Sequence, residues 1–112
     1  MRRYIKISLQ VEGIHCWNEA DKTEHTKYLQ YPHRHIFHIT VEKEVSHNNR
    51  EIEIISFKKY LLEYIQGSIF KDNRILGSSC EDIAEDILKR FNCSRVEVLE
   101  DNENGGIVTN GK

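Results

Sequence analysis

Apolar and polar residues alternate strictly over residues 4–11, "YIKISLQV", placing Ile5, Ile7, Leu9 and Val11 on one side. A period of two belongs to a strand with one buried face. Alternation returns over 33–45, where Phe37, Ile39, Val41 and Val45 share a parity and predict a second strand. "SHNNR" (46–50) reads as a turn, and "EIEII" (51–55) as a third strand that completes a hairpin over 33–55. The spacing then becomes helical. Phe57, Leu61, Tyr64 and Ile65 line one face of a helix over 57–66, with Ser56 to cap its start and Gly67 to end it. "SSCEDIAEDILKRF" predicts a second helix with the stripe Ile83, Ile87, Leu88 and Phe91, opened by a Ser78–Glu81 capping box. "RVEVLE" is a fourth strand and "GGIVT" a short fifth, whereas the polar, aperiodic stretch 18–31 reads as a loop. The order β-β-β-α-α-β predicts an α+β sandwich, an antiparallel sheet on one side and two helices on the other.

Composition adds bounds. A chain of 112 residues suits one domain with a modest core. The net charge of -2 gives no electrostatic case for nucleic acid or an anionic membrane. Cys16, Cys80 and Cys93 are odd in number and form no CxxC pair, which points to reduced thiols and a cytoplasmic protein. The start, "MRRYIKISLQV", is basic but lacks the apolar run and small-residue cleavage site of a signal peptide. No stretch approaches the length of a membrane span.

Candidate chemistry sits in "YPHRHIFHIT" (31–40). Side chains on a strand alternate, so residues of equal parity share a face. His33 and His35 have the parity of the apolar face, and His15 has the parity of the first strand's apolar face, just past its end. If the two strands pair antiparallel, three imidazoles converge at one rim of the sheet. Three neutral imidazoles suit zinc and leave a fourth position open for water or substrate. The bland reading is a half-exposed strand end without metal. Gly13 is the weak link, because a glycine can introduce a bulge. His38 has the opposite parity and faces outward, and His25 and His47 fall in loop and turn. In the fourth strand, Glu100 continues the parity of Val96 and Val98. A carboxylate there either accepts N–H groups of a ligand or lies on the surface beyond the strand.

These pieces, in this order, resemble the 6-pyruvoyl-tetrahydropterin synthase and 6-carboxy-tetrahydropterin synthase family, over about residues 4–108. "VEGIH" is similar to the family's F-x-A-x-H, whose histidine binds zinc, and "HRH" to its H-G-H, with Arg34 in place of the glycine. "IEIISFKKYL" resembles V-x-D-F-x-x-L-K, with Ser56 at the aspartate. "SSCEDIA" looks like P-T-x-E-N-x-A, which keeps Glu81, and "VEVLED" like V-x-V-x-E-T, which keeps Glu100. The resemblance implies the tunnelling fold, zinc on His15, His33 and His35, and a pterin or purine-like ligand bound by Glu100 and Glu81. It also implies a homo-oligomer, a trimer or hexamer, with sites between subunits.

The chain departs from the family at its proton donors. Leu29 stands where the carboxy-tetrahydropterin branch has its cysteine, and Cys16, next to His15, should face away from the site. "GSIFKDNRILG" lacks the family's Asp-His pair, and no histidine follows His47. Asp72, His25 and Tyr28 are the candidate substitutes. Three readings follow: a zinc-dependent pterin synthase-like lyase with altered proton donors, a non-catalytic binding protein for a pterin- or purine-like ligand, or a scaffold with a vestigial site.

Overall fold

The structure is a computed structural model and describes residues 1–17, 19–20, 25–71, 74 and 78–111. Its strands are β1 (Arg3–His15), β2 (His33–Val45), β3 (Arg95–Glu100) and β4 (Asn104–Thr109). Its helices are α1 (Ile54–Tyr64) and α2 (Cys80–Phe91). The strands form one sheet in the order β1-β2-β3-β4, antiparallel at every pairing. Both helices pack on one face, α1 over β1 and α2 over β3 and β4. The fold is therefore α+β, a four-stranded antiparallel sheet with two helices on one face, the class that the periodicity predicts.

The buried face is the one the alternation marks. Ile7, Leu9, Val11, Phe37, Ile39, Val41, Val96 and Val98 meet Phe57, Leu61, Ile83, Ala84 and Ile87 from the helices. Each large side chain so buried is worth about 1.5–3 kcal/mol relative to exposure. Charge belongs to the other face, where Arg34 pairs with Glu12 at 2.9 Å.

One element is corrected. Residues 51–55 form no strand, so the order is β-β-α-α-β-β and β2 has no hairpin partner in "EIEII". Both edges of β2 are already taken, by β1 and β3, and no edge remains for that segment. Its alternation is used differently: the Glu53 carboxylate accepts from the backbone N–H of Ile55 at 2.6 Å and of Ser56 at 3.1 Å, starting α1 early. Ser56 is thus inside the helix rather than its cap. Gly67 does not end it either, because the chain continues through a π-helical turn, Ile65–Ile69. The α2 capping box is Ser79 with Asp82, one residue later than Ser78 with Glu81. That shift leaves the Ser78 carbonyl and the Glu81 carboxylate for other partners.

Candidate metal centre

The register of β1 and β2 runs unbroken from Arg3↔Val45 to His15↔His33, with Gly13 opposite His35 and no bulge. Gly13 faces inward against aromatic rings. A Cβ there would lie 2.4 Å from Cε1 of Phe70, so the absence of a side chain lets β1 run flat to its end. The end of β1 meets the start of β2, and the three inward imidazoles gather. Ring centroids are 4.5 Å apart for His15–His33, 4.9 Å for His33–His35 and 5.2 Å for His15–His35. The cluster stands on Phe37, which is fully buried and edge-on to His15 at 5.2 Å. Glu100, the last residue of β3, pairs with Phe37 in the register and so reaches the same rim. Each of the four residues offers one ligand atom, and all four atoms lie within 4.8 Å of one another.

Each imidazole is fixed through its Nδ1. His15 Nδ1 lies 3.2 Å from the Ser78 carbonyl, His33 Nδ1 lies 2.9 Å from the Tyr31 carbonyl, and His35 Nδ1 lies 2.6 Å from Oδ2 of Asp101. All three partners are acceptors, so in each neutral ring Nδ1 carries the proton and Nε2 presents a lone pair. Such an oxygen behind each ligating histidine is the usual outer support of a metal site, fixing tautomer and ring orientation. Burial is the main influence on His15 and moves its pKa down, against the opposing pull of the Ser78 bond and Glu100. Its neutral form, which a metal requires, is thereby favoured.

The acceptor behind His35 is tightly held. Asp101 follows β3 with φ 53, the left-handed region that aspartate tolerates. Its backbone N–H donates to the Ile36 carbonyl at 2.8 Å, and its Oδ1 accepts from the Ile36 N–H at 3.0 Å. These bonds and His35 hold the Asp101 carboxyl below the usual range, the Ile36 N–H most strongly.

Beside the cluster opens a cleft of about 680 Å³. His15, His33, Glu100, Glu81 and Asp82 line it, with Trp17 and Leu29 as its apolar wall. Glu81 packs over β4: a Cβ at Gly106 would come within 2.7 Å of its Cγ. No lysine or arginine is among the described residues lining the cleft. Cys80 also lines it, and burial foremost, then Glu100 and Glu81, push its thiol up to about 12, so it is no nucleophile at neutral pH.

The structure thus brings His15, His33, His35 and Glu100 together and sets Glu81 in the adjoining cleft. His38 lies on the opposite face, opposite Gln10. Cys16 does not face away: β1 ends at His15, strict alternation ends with it, and the buried thiol lines the same cleft. His25 and Tyr28 are not among the described lining residues, and Asp72 lies outside the described residues. Asp101 escapes sequence reasoning altogether. Parity places it on the outer face, and only the left-handed turn after β3 redirects it. Compared with known proteins, the chain matches no family model and no curated protein.

Proposed function

We propose that this protein is a cytoplasmic, zinc-dependent member of the 6-pyruvoyl-/6-carboxy-tetrahydropterin synthase type, acting on a pterin-type substrate. The observation that carries the metal part is the common arrangement of three histidines. Each has Nδ1 committed to an oxygen, and one ligand atom from each gathers within 4.8 Å of the others. Three imidazole nitrogens are a donor set that zinc accepts. The order of elements and the motifs around His15, His33, His35, Glu81 and Glu100 support the pterin part and the tunnelling fold.

Zinc bound there supplies a Lewis acid for a substrate oxygen. The chain's own residues do the rest. The carboxylates of Glu81 and Glu100 accept N–H groups from the amino-pyrimidine edge of a pterin or purine-like ring. Trp17 and Leu29 offer apolar surface to that ring. A cleft of about 680 Å³ has room for a bicyclic heterocycle.

A second reading, a binding protein without turnover, is favoured by one specific observation. The wall position of the expected cysteine is the aliphatic Leu29, which can neither donate nor accept a proton. Proton transfer needs a group within hydrogen-bond reach, and each lost one costs about two to four powers of ten in rate. Metal analysis of purified protein should give about one zinc per chain under both readings, and none would end both. Dihydroneopterin triphosphate should be consumed under the first and retained unchanged under the second.

Among the described residues, the outer edge of β4 pairs with no strand and that of β1 carries a single bridge, Ile14 to Arg74, which supports a homo-oligomer in which the β1 edge of one copy pairs with the β4 edge of the next. A trimer or hexamer mass in solution is expected, and a monomer at micromolar concentration would end this part of the proposal.

A further inference from the structure

Glu100 reaches into the histidine cluster. Its Oε2 lies 2.6 Å from Nε2 of His15 and 3.4 Å from Nε2 of His35. The nearer contact is at hydrogen-bond length but lacks hydrogen-bond geometry at the buried Nε2 of His15. His15 Nδ1 faces the Ser78 carbonyl, so in the neutral ring Nδ1 holds the proton and donates it to that oxygen, which leaves Nε2 as a lone pair. His35 is in the same state, since Asp101 accepts from its Nδ1. A carboxylate oxygen set against two imidazole lone pairs is repulsive unless a cation, a shared proton or a metal ion, lies among them, and the gathering of four ligand atoms within 4.8 Å of one another favours the metal ion.

From this we propose that Glu100 is the fourth ligand of the metal, so that the resting centre is a closed three-histidine, one-carboxylate site rather than a three-histidine site with an open position. The inference rests on the metal part of the proposed function and deepens it. Four protein ligands complete a tetrahedral set, as in a structural site. Entry to the metal then requires the Glu100 carboxylate to leave it. The neighbouring cleft, onto which Glu100 also opens, gives the released carboxylate a place to accept the N–H groups of the incoming ring. Glu100 has room for such a swing because its side chain is 29% exposed, against 10% for His15. Ligand binding and metal opening are then one event, and a small anion without N–H donors cannot drive it.

The experiment uses the full chain stripped of metal and reloaded with Co2+, whose visible absorption reports coordination number, with sodium azide as probe. Wild type is expected to bind one Co2+ per chain with the intense bands of a tetrahedral site that azide leaves unchanged. Glu100→Gln is expected to bind Co2+ at least about 10-fold more weakly, and its spectrum should shift with azide. Glu100→Asp, which keeps the charge on a side chain one methylene shorter, should also become azide-sensitive. Circular dichroism of the metal-free variants checks that they fold. Equal azide response in wild type and Glu100→Gln overturns the inference, as does equal affinity for Co2+. Failure of wild type to bind Co2+ at all overturns the metal reading itself. Absence of any pterin binding, with the Co2+ results as expected, overturns the pterin part alone.

Discussion

Asp101 shows how one residue can set the quality of a metal site without touching the metal. Its backbone N–H donates to the Ile36 carbonyl, its Oδ1 accepts from the Ile36 N–H, and its Oδ2 orients His35. Asp101→Asn keeps the shape but replaces a charged acceptor by an amide that can offer its NH2 to Nδ1. We expect a 10–100-fold loss of zinc affinity with an unchanged melting temperature of the metal-free protein, read by competition with a chromophoric chelator. Unaltered affinity would deny Asp101 its positioning role. Gly13 acts by lacking a side chain. A Cβ at 13 would meet Phe70 at 2.4 Å and Phe37 at 3.1 Å, both packed rings. Gly13→Ala should cost about 1–3 kcal/mol of stability by overpacking, measured by urea unfolding, and a neutral result would mean that Phe70 yields freely. The three histidines were legible in the sequence because parity alone assigns a face to each. Asp101 and the Nδ1 partners at Ser78 and Tyr31 were not, because turns carry no parity.

Among the elements, α2 couples stability to the site. Its first turn is closed by Ser79 and Asp82, each side chain accepting from the other's backbone N–H, at 3.0 and 3.2 Å. The residue just before that cap, Ser78, supplies the carbonyl behind His15. Ser79→Ala should destabilise the protein by about 0.5–2 kcal/mol. It should also weaken metal binding, because the Ser78 carbonyl loses its fixed position. Thermal melts with and without zinc separate the two effects, and a stability loss with undiminished zinc affinity would uncouple the cap from His15. Sequence reasoning found α2 and its stripe but set the capping box one residue early, since "SSCED" offers two serines and two acids in succession. It also read "EIEII" as a strand. A short alternating run cannot reveal that the neighbouring strand already has both edges filled.

For the molecule as a whole, the core fixes a pH limit. Cys93 sits between α2 and β3 in the core, and burial foremost pushes its thiol up to about 11 from 9.0, with Lys43 opposing. A thiol whose pKa is higher folded than unfolded lets the unfolded chain lose its proton first as pH rises. Its contribution is therefore intact below about pH 9 and is lost as pH climbs toward about 11. Unfolding free energy should fall across that window by up to about 1.4 kcal/mol per pH unit from this thiol. Cys93→Ala should flatten the slope, whereas an identical pH profile would show that the thiol is neutral in both states. No helix among the described residues is long and apolar enough to cross a membrane.

The sequence by itself determined what is local: the period of β1, β2, β3 and the two helices, and the parity that puts His33 and His35 on the apolar face. Tertiary structure alone decided the pairing of β1 with β2 in unbroken register, the refusal of a strand at 51–55, and the entry of Glu100 into the histidine cluster. Periodicity is a property of neighbours along the chain, whereas edge occupancy and the meeting of strand ends depend on segments far apart in sequence. Only the folded sheet sets Glu100 2.6 Å from His15 across an interval of 85 residues (100 less 15).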